Sequence, residues 1–157
     1  MENTSKRKKD EELLAEIYRN CQLALESISD ILPEIEDAAI KSEIVAQHEE
    51  YEKISGKAAA MAHEKNIEVK EPGAFKKMMM WGGIKMNTLT DGSRSHIADM
   101  MIQGTVMGVT SLRTSLSEVE SEADEEIVSL ARELVELEEL FEKRLKAFLS
   151  ALSTKTE

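Results

Sequence analysis

Cysteine, proline, glycine and aromatic residues are all scarce in this chain, and each scarcity narrows what it can be. The single cysteine, Cys21, excludes an intrachain disulfide framework and any zinc site built from cysteines. Two prolines and seven glycines in 157 residues exclude a loop-rich or collagen-like chain. Positive charge is also short: 20 bases stand against 31 acids, for a net charge of −11. That excludes nucleic acid as a general partner, because phosphate binding needs a basic footprint. The longest uncharged run, Met100 to Leu112, is too short to span a bilayer and is interrupted by Gln103, Gly104, Gly108 and hydroxyl residues. The opening Lys6-Arg7-Lys8-Lys9 is followed by Asp10-Glu11-Glu12 rather than by the apolar region of a signal peptide. A cytoplasmic protein without a membrane span is therefore expected. Dinucleotide, P-loop, nucleophile-elbow and zincin signatures are all missing, so no catalytic residue is assigned and a non-enzymatic role is expected.

What is present is apolar spacing of three and four residues, nearly throughout, with no convincing strand. A basic arm over 1–9 is expected to be disordered, a single domain to occupy 10–152, and 153–157 to be a frayed tail. The first helix is read over Asp10–Ile31, with Leu14, Tyr18, Cys21, Leu25, Ile28 and Leu32 as its stripe. Pro33 ends it and suits the first turn of the next helix. That second helix is read over Glu34–Lys65, with Ile40, Ile44, Gln47, Tyr51, Ile54, Ala58 and Met61 facing inward and His48 and Ser55 on the shoulder. A crossover segment over 66–94 contains the break Glu71-Pro72-Gly73 and a short amphipathic helix marked by Phe75, Met78, Met79, Met86 and Leu89.

The third helix, Ser95 to Val119, is apolar almost all round and is expected to be buried on most faces. Gly104 and Gly108 each cost about 1 kcal/mol in a helix interior, but on one face they admit a close backbone approach. The last helix, Glu122 to Leu152, carries a heptad seam of Ile127, Ala131, Leu134, Glu138, Phe141, Leu145, Phe148 and Leu152. Ser121 and Asp124 form a capping-box-like start, with acids in the first turns and bases in the last. Short loops between the first pair and the last pair of helices make antiparallel hairpins, and the long link suits two hairpins docked as a four-helix bundle.

Trp81-Gly82-Gly83-Ile84-Lys85-Met86-Asn87-Thr88-Leu89-Thr90-Asp91-Gly92, followed by His96-Ile97-Ala98-Asp99-Met100-Met101-Ile102-Gln103-Gly104, resembles a stretch of uncharacterised bacterial ferritin-like proteins. The resemblance implies an all-α, ferritin-like antiparallel four-helix bundle with a short extra helix in the crossover between helices 2 and 3. It departs from the di-iron members, which use Glu-x-x-His pairs from two helices. No such pair occurs here, and Glu138 has Phe141 three residues on.

Two readings of function follow. The leading one is a non-enzymatic bundle that needs no cofactor and acts through a protein partner or as a homodimer or higher homo-oligomer. Its contact residues would be Met78, Met79, Trp81, Met86, Gly104 and Gly108, because methionine-rich surfaces adapt to partners and small residues let helices approach. From Gly73 to Ser117 bases outnumber acids, which would let this part of one subunit meet the acidic last helix of another. The alternative is an atypical iron- or manganese-binding protein with a stress or redox role, its ligands His48, Glu52 and Glu138. His96 and Asp99, three apart, form a weaker candidate pair for a metal or a base, and Cys21 is read as a small buried hydrophobe.

Overall fold

The computed structural model describes residues 2–69 and 93–156, with side chains described over 5–69 and 93–149. Among the described residues there are four α-helices and no strand: α1 (Glu2–Ile31), α2 (Ala38–Glu64), α3 (Arg94–Val119) and α4 (Glu125–Thr156). A 3-10 turn at Leu32–Glu34 joins α1 to α2. The expected short helix in the crossover lies outside the described residues.

Contacts at the helix ends fix the connectivity. At one end, Arg7 of α1 donates to the carbonyls of Lys65 and Asn66 just past α2, and Lys65 pairs with Asp124 at the start of α4. At the other end, Arg94 at the start of α3 pairs with Asp37, the N-cap of α2, at 2.6 Å. Near the same end Arg144, late in α4, reaches Glu43. So α1 runs up, α2 and α3 run down in parallel, and α4 runs up. The two hairpins, α1–α2 and α3–α4, dock with their apolar stripes facing.

Each helix boundary has a local cause. Asp37 sits in extended backbone and accepts from the Ile40 amide at 3.0 Å, so it, rather than Pro33, opens α2. Pro33 lies within the 3-10 turn, and the chain extends at Ile35 before α2 begins. Asn66, with φ of 55°, closes α2 in the left-handed conformation that asparagine tolerates, and Ile67 N bonds back to Ala62 O at 2.8 Å. For α4 the cap is Asp124, whose carboxylate accepts from Glu126 N, and Ser121 plays no part in it.

The N-terminal basic run, expected as a disordered arm, is helical from Glu2. Arg7 pairs with Glu11 one turn on and also satisfies carbonyls beyond α2, while Lys9 pairs with Glu122. These partners give the run a reason to stay in register with α1. Nor does α4 stop at Leu152; it continues to Thr156, with no proline or glycine to end it.

The inward stripes of α2 and α4 are those read from the sequence, from Ile40 to Ala58 and from Ile127 to Leu145. On α1 the buried arc is wider than one stripe. Leu13, Ile17, Asn20 and Ala24 are buried beside Leu14, Cys21 and Ile28, while Tyr18, Leu25 and Leu32 are only half-buried. α1 packs along α2 and also meets both helices of the other hairpin, so more than one stripe of it is turned inward. On α3 the opposite correction applies: Val106 and Met107 are exposed, so this helix is not buried all round.

Candidate functional site

Midway along the bundle each helix contributes one polar element to a single buried cluster. Glu138 of α4 is 2% exposed in a seam otherwise occupied by apolar residues. Tyr51 of α2 donates its hydroxyl to Glu138 Oε2 at 2.8 Å. Asn20 of α1 donates Nδ2 to the Gly108 carbonyl of α3 at 3.1 Å and lies beside the same carboxylate. Phe141, one turn on from Glu138, packs its ring 5.4 Å from the Tyr51 ring.

Gly108 is what lets the carboxylate fit. A methyl group there would stand 2.7 Å from Glu138 Oε2, 3.2 Å from Oε1 and 3.1 Å from Asn20 Nδ2. The glycine thus admits a side chain of its own bundle, not the helix of another subunit, and Gly104 is likewise buried within the chain.

The electrostatics of the cluster follow from the neutral character of its members. Among the described residues no cation faces Glu138: α1 offers Asn20 and Cys21, α2 offers Tyr51, and α3 offers glycine. Burial therefore pushes the Glu138 carboxyl up to about 8, against the opposing hydrogen bonds from Tyr51 and Asn20. The Tyr51 hydroxyl is pushed well above its ordinary value, first by burial and then by the adjacent carboxyl. Burial and Glu138 likewise raise the Cys21 thiol, which makes it a poor nucleophile and fits its reading as a packing residue. Among the described residues Glu138 Oε1 has no hydrogen-bonding partner, and neither does either end of the Gln47 amide, fully buried one turn before Tyr51.

The residues nominated as ligands do not form one group. His48 Nδ1 and Glu52 Oε1 lie 2.9 Å apart on the flank of α2, where Glu52 is exposed. Glu138 is inside the bundle with Tyr51. Among the described residues no three histidine, cysteine, aspartate or glutamate side chains are placed to hold a metal. A two-metal carboxylate centre does not fit a core whose acid is met by a phenol, an amide and a thiol. Asp99 takes its bond from Gln103 at 2.9 Å instead of from His96, whose Nε2 is buried without a partner among the described residues. Met78, Met79, Trp81 and Met86 lie outside the described residues.

Sequence reasoning missed several members of the interior, Asn20 and Glu16 among the polar ones. Asn20 lies one residue off the expected stripe of α1, and Glu16, also buried, pairs with Ser111 and Arg19. Two surface grooves of about 410 Å³ are separate from the cluster. One lies between α3 and α4 and is bridged by Arg113–Glu139 and Arg132–Glu120; the other lies between α2 and α4, beside Lys57–Glu133.

No helix among the described residues is long and apolar enough to cross a membrane. A scan of protein-family models finds none that matches this chain, and searches of curated proteins and of solved structures find no match either.

Proposed function

We propose that this chain is a non-enzymatic, ferritin-like helical bundle that acts through self-association or a protein partner. The observation that carries the reading is the outward face of α3. In a chain with net charge −11, residues 100–112 carry no charge, and Val106 and Met107 stand 40% and 45% exposed. Uncovered apolar side chains on an uncharged helix face are what a contact surface requires. The parallel course of α2 and α3 supports the ferritin-like part, because that connectivity needs a long crossover.

Sedimentation velocity over the micromolar to millimolar range tests the self-association arm, and pull-down with tagged protein tests the other. Concentration-dependent mass or a stoichiometric partner is the expected result. A protein that stays monomeric and recovers nothing would remove the reading.

The second reading, an iron- or manganese-binding bundle with a stress or redox role, has one observation in its favour, the His48–Glu52 pair. Two ligands from adjacent turns of one exposed helix make a weak site. The expected result after incubation with iron(II) or manganese(II) and removal of excess is a substoichiometric metal content that His48→Ala leaves unchanged. Stoichiometric metal that is lost in that variant would establish this reading over the first.

A further inference from the structure

α3 carries a second seam, on the side turned away from the core. Asp99, Gln103, Val106, Thr110 and Arg113 are all exposed. They recur at the alternating four-three spacing by which one helix packs against another. Neighbouring α4 exposes Glu133, Glu136, Glu139 and Lys143, so the charge-free middle of the α3 seam contrasts with the surface beside it.

The hydroxyl groups on this face make no demand on a partner. Thr110 Oγ1 donates to Val106 O at 2.8 Å, and Thr114 Oγ1 donates to Thr110 O at 2.9 Å. A threonine whose hydroxyl is bonded back to its own helix adds mainly apolar surface to the outside. With Val106 and Met107 one turn before Thr110, the strip behaves as a narrow apolar seam closed by one acid and one base.

That seam has a palindromic charge pattern. Asp99 precedes Val106 by two heptad-spaced turns and Arg113 follows it by the same interval. We infer that two copies of this chain pair through α3, antiparallel across a two-fold axis at Val106, with Asp99 of each copy opposite Arg113 of the other. The inference rests on the self-association reading above and deepens it by naming the face and the partner. A two-fold contact is self-complementary, so a charge at one end of it attracts only where the other end carries the opposite charge. Over most of their surface, two copies with net charge −11 repel. On this face the middle is neutral and both ends attract.

Neither end charge is exhausted within its own chain. Arg113 pairs with Glu139 at 2.7 Å, and Asp99 accepts from Gln103. A guanidinium keeps further N–H donors and a carboxylate further acceptor sites for a second partner. A contact one helix wide falls at the small end of protein interfaces, below about 1,200 Å² in total, so the dimer exchanges reversibly with monomer.

The test is sedimentation velocity on the full chain, on Asp99→Arg, on Arg113→Asp and on an equal mixture of the two variants. Asp99→Arg sets arginine against arginine at both ends, and Arg113→Asp sets aspartate against aspartate. Each should weaken dimerisation by about tenfold or more. Mixing them should restore it, because every end then meets its opposite, and only pairing of the chain with itself predicts that recovery.

Circular dichroism checks that both variants stay helical. Should either unfold, Val106→Cys replaces them: a cysteine on the axis should form a self-disulfide on oxidation, with Cys21 buried and out of competition. Wild type that dimerises while both variants dimerise undiminished, or a mixture that fails to recover, would place the contact elsewhere and leave self-association standing. Wild type that remains monomeric at the highest concentration would overturn both.

Discussion

Exchanging Glu138 for glutamine flattens the dependence of stability on pH across the neutral range, because it removes a proton that the folded chain holds and the unfolded chain releases. Burial raises the Glu138 carboxyl from its ordinary 4.5 to about 8 in the folded state. Between those values the native protein binds one proton more than the unfolded chain, so stability falls as pH rises and levels off above the folded value. A shift of this size corresponds to a loss on the order of 5 kcal/mol across the window, a large part of what a small domain has. Glutamine keeps an acceptor for the Tyr51 hydroxyl but has no proton to lose. Urea unfolding between about pH 5 and about pH 9 should show wild type losing stability with pH and Glu138→Gln holding nearly level. Parallel curves for the two proteins would show that the carboxyl is not held neutral by its surroundings.

Gly108→Ala should destabilise the wild-type protein and stabilise a Glu138→Ala background. On helix propensity alone the substitution gains about 1 kcal/mol. Here the added methyl would press to within 2.7 Å of Glu138 Oε2, an oxygen already held by Tyr51. The carboxyl must give way, leaving a buried phenol or a buried acid without its partner, at a cost of about 1–3 kcal/mol. Set against the propensity gain, the net effect in the wild type is a loss of up to about 2 kcal/mol. Once Glu138 is truncated, the closest obstacle is gone, and Asn20 Nδ2, 3.1 Å from the methyl, can shift into the space the carboxylate leaves, so most of the propensity gain is kept. The reversal of sign, read from chemical denaturation of all four proteins in the cycle, is the diagnostic. A stabilising effect in both backgrounds would mean that the carboxylate moves aside freely.

The sequence made part of this interior legible. An acid at a heptad position that otherwise calls for leucine marks Glu138 as buried, and Tyr51 falls on the inward stripe of α2 by the same periodicity. Periodicity says which face is inward but nothing about which residues of two different helices stand at one level. So Glu138 could be grouped with His48 and Glu52, whereas the structure gives it Tyr51 and Asn20. Asn20 was hidden because a single stripe is narrower than the arc buried on α1, which packs along α2 and also meets both helices of the other hairpin. Glycines at Gly104 and Gly108 announced a close approach without naming the visitor. At Gly108 it is a carboxylate from the same chain, not a second subunit. The outer seam of α3 escaped notice for a related reason: a helix apolar on two faces gives no sign in its sequence of which face the rest of the chain will cover.

The connectivity of the bundle bears on the order in which it assembles. The turns α1–α2 and α3–α4 are short, so each hairpin closes a small loop and can form early on the folding pathway. The contact of Tyr51 with Glu138 and that of Asn20 with Gly108 both bridge the hairpins, across 87 and 88 residues of chain. Neither can exist until the hairpins have met. The buried cluster is therefore a late-forming latch, and its geometry rewards only the register in which a glycine of α3 stands level with a carboxylate of α4 and an asparagine of α1.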